Sequence, residues 1–298
     1  MPGQPHLPQN WRTNPAGGVT RYDNLSASMW RGLKRVREWT IERFEQIPRN
    51  KIEVNALHIN QEYYEYLIDV AQLESIVAEI RTRLEQEVPA EQTVSAVAAA
   101  YESGTAAAVV NLAAISDDYT REVTQVLSSD PWQRRVALVR SRVFEEMDGF
   151  HGETARDLGR VLSQAIEDGQ SPLDATKTIK QRFGVSKTRA ERIARTEITN
   201  ALRRARADEA RSARDDLGIN VRMLWLSALS PTTRATHAAQ HGEVMTIEEV
   251  NEWYASHRAS RINCKCAQVE IVVDESGNPV TPGVVKKVRR EKRQEESP

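Results

Sequence analysis

The sequence predicts a mainly α protein: an elongated helical N-terminal region, then a small α+β module and a basic tail. Three features carry that expectation. Apolar residues recur at three- and four-residue steps through most of the chain before Gly218, the spacing that gathers them on one helix face. Two short apolar runs, VRMLWL at Val221 to Leu226 and QVEIVV at Gln268 to Val273, read as strands, and both follow Gly218. Behind a Ser-Gly-Asn-Pro turn the chain ends in a run rich in Lys and Arg.

Residues 1–24 hold Pro2, Pro5, Pro8 and Pro15 with Gly3, Gly17 and Gly18. Proline removes donors and glycine adds backbone entropy, so this reads as a flexible arm, with Trp11 or Tyr22 as anchors on a partner. Residues 25–148 read as helical. Met29, Leu33, Val36 and Thr40 open the stripe. Tyr63, Tyr66, Leu67, Val70, Leu73, Val77, Ile80 and Leu84 extend it as far as Pro89, and Val94, Val97 and Tyr101 continue it. Asp130-Pro131 begins another helix by N-cap and N1 logic, with Val136, Val139, Val143 and Met147 facing inward up to Gly149.

Residues 149–217 continue the helical pattern with Ala155, Leu158, Leu162, Ala165 and Ile166 as far as Gly169. Ser171-Pro172 opens a short helix that Gly184 should stop, and Ser186 should cap a long one running to Leu217. The apolar side of that helix (Ala190, Ile193, Ala194, Ile198, Ala201, Leu202, Ala205) is narrow and small, which suits close helix packing. Residues 218–274 form the α+β module. Between its strands, Ser230-Pro231 starts one helix, and Thr246 with Glu249 makes a capping box for another whose inner face is Val250, Trp253, Tyr254 and His257. Residues 275–298 are the basic tail.

Composition narrows the function classes. The 298 residues carry 41 Lys+Arg against 42 Asp+Glu, which excludes a uniformly basic nucleic-acid coat and leaves local patches open. At 40% hydrophobic the chain is too apolar for a disordered polymer. Two cysteines exclude a disulfide-built secreted scaffold. The N-terminus has no continuous apolar segment of signal-peptide type, and Ala96 to Ile115 is broken by Glu102, Ser103 and Gly104, so no bilayer span is expected. A soluble protein made in a reducing cytoplasm is the expectation.

The densest chemistry lies in the module. Arg234, His237 and His241 stand at i, i+3 and i+7, and Cys264 and Cys266 flank Lys265 just before the last strand. In an extended C-x-C both sulfurs point the same way. His237, His241, Cys264 and Cys266 therefore make a tetrahedral zinc set, with His257 as a spare donor. The alternative is a pair of reduced, half-buried thiols beside a hydrogen-bonded histidine. Arg234 with His237 and His241 would also suit phosphodiester cleavage, histidine as acid and base and arginine on the phosphate. No Gly-rich phosphate loop, H-E-x-x-H or G-x-S-x-G element accompanies them. Lys286, Lys287, Arg289, Arg290, Lys292 and Arg293 can neutralise several phosphates without reading bases, or serve as a solubilising tail.

Several short elements, taken in order, resemble a known family. They are the helix segment RAERIARTEITNA with Arg195, Thr196 and Glu197, the strand around Trp225, the T-R-x-x-H run of Thr233, Arg234 and His237, Gly242, and the N-C-K-C run from Asn263. Their order and spacing resemble the phage Mu protein F-like, minor head proteins of tailed bacteriophages, over roughly Gly149 to Val273. Ser230 stands near the place where that family usually has an aspartate, so a cap survives there and a carboxylate does not, while Lys265 keeps the charge of the usual arginine. The resemblance implies a structural virion protein with no catalysis, associated with the portal during procapsid assembly. It implies scaffold and major capsid proteins and packaged DNA as further partners, with a role in DNA packaging or ejection. Some relatives carry a C-terminal toxin domain, and the few residues after Val273 are too short for one.

Overall fold

A computed structural model describes residues 3–8, 14–56 and 59–295. It is mainly helical with a small α+β module, as expected. In chain order the elements are α1 (Val19–Glu45), β1 (Arg49–Ala56), β2 (Ile59–Tyr66), α2 (Val70–Glu87), α3 (Ala90–Ile115), α4 (Val123–Ser128), α5 (Asp130–Glu167), α6 (Pro172–Leu217), β3 (Val221–Leu226), α7 (Ala235–Ala239), β4 (Val244–Met245), α8 (Ile247–Ser256), a 3₁₀ turn (Arg258–Arg261), β5 (Ala267–Val272) and α9 (Pro282–Glu295). No helix among the described residues is long and apolar enough to cross a membrane. The chain folds as two compact units. One comprises Met1–Tyr22, Ser95–Ser141 and Ala194–Pro298, the other Asp23–Val94 and Arg142–Ile193.

The unit of Asp23–Val94 and Arg142–Ile193 is a helical assembly with a hairpin. Met29, Leu33 and Val36 of α1, Ile76, Ile80 and Leu84 of α2, and Met147, Phe150 and Leu158 of α5 are all buried. Asp69 and Gln72 form a capping box that fixes the start of α2. The region expected as unbroken helix instead turns into β1 and β2, which pair antiparallel from Arg49↔Tyr66 to Ala56↔Ile59. Tyr63 and Tyr66 therefore lie on a strand, Leu67 and Val70 are exposed, and the fully buried face of α2 runs through Ile76, Ile80 and Leu84, with Leu73 half-buried and Val77 half-buried against Gly159. The hairpin is tied down by the Tyr64 amide donating to the Gly169 carbonyl at 2.9 Å and by the Tyr66 hydroxyl donating to the Gln170 carbonyl at 2.9 Å.

Two expected helix breaks are absent. Gly149 lies inside α5, and Gly184 and Ser186 lie inside α6. An interior glycine costs about 1 kcal/mol relative to alanine. The buried side chains on either side, Met147 and Phe150 around one and Ile179, Phe183 and Ala190 around the other, outweigh that cost. The Ser186 hydroxyl bonds back to the Arg182 carbonyl one turn earlier, so it is not a cap. The true cap is Ser171, whose hydroxyl accepts the Asp174 amide at 3.2 Å.

In the other unit the small-residue face of α6 serves as the sequence suggested. Ala194, Ala201, Ala205, Ala210 and Ala213 are buried, and α3 approaches closely at Gly104, where a Cβ would stand 2.7 Å from the Leu202 carbonyl oxygen. Tyr22 is buried beneath the Arg195 guanidinium, 5.0 Å from its ring centroid, so it is not a free anchor. Trp11 lies outside the described residues.

The module's sheet has the order β4-β3-β5, and β3 pairs antiparallel with β5 from Val221↔Val272 to Leu226↔Ala267. The outward carbonyls of β5 are taken one by one. Arg206 Nε donates to Gln268 O at 3.2 Å, Asn111 Nδ2 to Glu270 O at 2.9 Å, and the Val280 amide to Val272 O at 3.0 Å. Burial pushes the Glu270 carboxyl above its usual range, against the pull of its ion-pair partner Arg206.

The basic tail is a correction. It folds as α9, and Val284, Val285 and Val288 complete a core with Leu224, Leu226, Val269, Ile271 and Val273. Three valines on one face of a short segment bury enough apolar surface to hold a helix that charge alone would leave in water.

Candidate functional site

The site is built where five elements converge within one unit. α6 brings Arg203, the end of β3 brings Trp225 and Ser227, α7 brings His237, α8 brings Trp253 and Tyr254, and the run before β5 brings Cys264 and Cys266. The helix expected to start at Ser230-Pro231 begins only at Ala235. The preceding residues form a turn in which the Thr233 amide donates to the Ser230 carbonyl at 2.8 Å, and Thr233 Oγ1 accepts the Ser230 amide at 3.1 Å. α7 is thus a single turn, and His241 lies beyond its end.

Arg234 is not free to hold a substrate. Its guanidinium donates to the Ser260 carbonyl at 3.2 Å and the Ile262 carbonyl at 2.8 Å, tying α7 to the loop that carries the cysteines. The next step in that loop is Asn263, at φ +56. This left-handed conformation suits asparagine better than other side-chain-bearing residues. The Asn263 amide donates to Thr196 Oγ1 at 3.1 Å, so the A-R-T-E helix and the N-C-K-C run are joined by one bond. Gly242 has φ +82, donates its amide to the Trp225 carbonyl, and leaves room for Arg289, whose Cγ would meet an added Cβ at 2.7 Å. Glu197 is buried in α6.

His237, Cys264 and Cys266 meet at the centre, all buried. His237 Nδ1 lies 3.3 Å from Cys266 Sγ and 3.4 Å from Cys264 Sγ, and the three donor atoms fall within 4.8 Å of one another. Trp225 stacks on Tyr254 at 5.1 Å, and Trp253 stands edge-on to His237 at 4.9 Å, which walls the group off from water. Arg203 donates to the Tyr254 hydroxyl at 2.9 Å, and that hydroxyl lies 3.5 Å from Cys264 Sγ. The Cys264 thiol is held well below its ordinary range, first by the hydrogen bond from Cys266 and then by the Arg203 guanidinium, while Cys266, which keeps its proton in that bond and is deeply buried, is pushed up.

The other expected donors are elsewhere. His241 is buried, its Nδ1 accepting the Ser227 amide at 3.0 Å. His257 ends α8, exposed and stacked on Trp253. Of the expected nucleic-acid residues, Lys286, Lys287, Arg289 and Arg290 are exposed on α9. Arg289 also donates to the Gly242 carbonyl at 2.9 Å, and Lys292 to the Ala239 carbonyl at 2.6 Å, so both help pin the helix. The Arg293 side chain lies outside the described residues. Arg203 carries no distinctive signal in the sequence because it is one of nine arginines on the same helix. Only its spacing from the buried Thr199 and Arg206 marks it as inward.

The fold and site define a mainly helical protein whose small α+β module closes over a buried Cys-Cys-His group. Residues 156–269 match the family described as Phage Mu protein F like protein, the family the motifs resemble. The chain is also similar to the NAD(+)--arginine ADP-ribosyltransferase EFV of Enterococcus faecalis (strain ATCC 700802 / V583), 26% identical over 140 residues. That match covers 44% of this chain and 28% of the enzyme, so the chain spans little more than a quarter of its length. No solved structure matches the chain.

Proposed function

We propose that this chain is a structural minor head protein of a tailed bacteriophage. In this reading it associates with the portal during procapsid assembly, contacts scaffold and major capsid proteins, resides in the virion at the capsid interior or portal vertex, and takes part in DNA packaging or ejection without a catalytic step of its own. The supporting observation is the family match over residues 156–269, whose motif residues serve as internal ties. Thr196 holds Asn263, Arg234 holds the cysteine loop and Gly242 seats α9. A nuclease reading is disfavoured by the same geometry, because His237 is buried and Arg234 is spent on carbonyls. Co-expression with the portal protein of the same phage should give a complex that co-elutes in size-exclusion chromatography. Particles assembled without this chain should fail to mature or to deliver DNA. Independent elution of the two proteins together with normal, infective particles would overturn the proposal.

A second reading, contact with packaged DNA, is favoured by the outward cations of α9. Deleting the segment would be a poor test, since it removes Val284, Val285 and Val288 from the core. Lys286→Glu with Arg290→Glu changes charge on exposed positions only. That pair should shift elution from immobilised duplex to lower salt, and unchanged elution would dismiss DNA contact through this face.

A further inference from the structure

We propose that His237 Nδ1, Cys264 Sγ and Cys266 Sγ bind one zinc ion that closes the module. The inference does not depend on the head-assembly reading. Zinc with thiolate sulfurs at about 2.3 Å and an imidazole nitrogen at about 2.0 Å, in tetrahedral array, sets its sulfur and nitrogen donors about 3.6 Å apart. The two distances here are 3.3 and 3.4 Å, and all three donor atoms lie within 4.8 Å of one another. The donors come from two places nearly thirty residues apart, α7 and the run before β5, and the backbone is shaped to bring them together. Asn263 takes its left-handed turn immediately before Cys264, and Arg234 clamps the loop from the other side.

The chemistry of the donor set selects the ion. Two thiolates and an imidazole suit a borderline-soft, tetrahedral cation rather than magnesium or calcium. Two thiolates offset the charge of the divalent ion, and around them stand Trp225, Trp253 and Tyr254, with the buried Arg203 guanidinium on the Cys264 side. The thiols also have outer partners of the kind that orient metal ligands: Ser227 Oγ lies 3.7 Å from Cys266 Sγ, and Tyr254 Oη lies 3.5 Å from Cys264 Sγ. His237 Nε2 is buried and, among the described residues, has no hydrogen-bond partner. Nδ1 is then the nitrogen whose surroundings define the ring's role.

The test uses the full chain, purified under reducing conditions from zinc-containing medium. Elemental analysis should find about one zinc per chain. After removal by chelator, cobalt(II) should restore a tetrahedral visible spectrum with a thiolate-to-cobalt charge-transfer band in the near ultraviolet. The Cys264→Ser, Cys266→Ser chain should lose both signals, His237→Gln should weaken cobalt binding at least about tenfold, and His257→Ala should leave both unchanged. The wild-type spectrum needs no variant to fold. A folded wild-type chain with no appreciable zinc and no charge-transfer band on adding cobalt would overturn the proposal, as would a folded cysteine double variant that keeps stoichiometric zinc.

Discussion

Val288→Ala tests whether α9 belongs to the core of the module or merely lies on it. Val288 is fully buried, in one cluster with Leu224, Leu226, Val269 and Ile271. The substitution removes two methyl-sized groups, worth about 0.8 kcal/mol each in transfer free energy. Incomplete relaxation around the space they leave adds up to about 1 kcal/mol. The expected loss is about 1.6–2.6 kcal/mol. Lys286→Ala, exposed on the same helix, should change stability by less than about 0.5 kcal/mol. Because the chain has two units, a single global melt would blend two transitions. Native-state hydrogen exchange at the β3 and β5 amides reads the relevant opening directly. Equal protection of these amides in the two variants would refute the assignment of α9 to the core.

The remaining predictions follow the same physics. Gly242→Ala should destabilise the module by about 1–2 kcal/mol, because a left-handed backbone penalises a Cβ and that Cβ would also press on Arg289; urea unfolding followed by hydrogen exchange checks it. Asn263→Gly should be nearly neutral, whereas Asn263→Val, forced to φ +56, should lose about 1–2 kcal/mol. His151 is buried with Nε2 donating to the Val88 carbonyl at 2.8 Å, and burial lowers its pKa below the usual 6.5. The unfolded chain therefore binds the extra proton first, and stability is complete above pH 6.5 and declines as the pH falls below it, at no more than about 1.4 kcal/mol per pH unit. His151→Gln should flatten that part of the stability–pH curve, and an unchanged slope would count against the buried neutral ring.

Much of the module was legible because its signals are local. The capping box of Thr246 and Glu249 depends on residues three apart, and both of its bonds are present. The strands at Val221 and Ala267 announce themselves by apolar runs bounded by turns. The hairpin of β1 and β2 was missed because Tyr63, Tyr66 and Leu67 happen to fall at helical spacing. The period-two alternation of Ile52, Val54 and Ala56 against Lys51, Glu53 and Asn55 was the better signal. The supposed breaks at Gly149 and Gly184 failed because tertiary burial overrode a weak local preference. The tail was misread for a related reason. Its cations dominate the composition, while the three valines that decide its fate matter only once the sheet they cover exists. The site was half visible. His237 and the two cysteines could be paired on paper, but His241 was separated from them by the early end of α7, and nothing in the charge pattern of α6 singled out Arg203.

The occupied outer edge of β5 bears on how copies of this protein can meet. A bare edge strand is an open invitation for another chain to add a strand. Here Arg206, Asn111 and Val280 have already claimed the carbonyls that such a neighbour would need. Stacking of this sheet from copy to copy along that rim is thereby blocked, even at high local concentration. A partner that meets this rim must then engage side chains rather than extend the sheet.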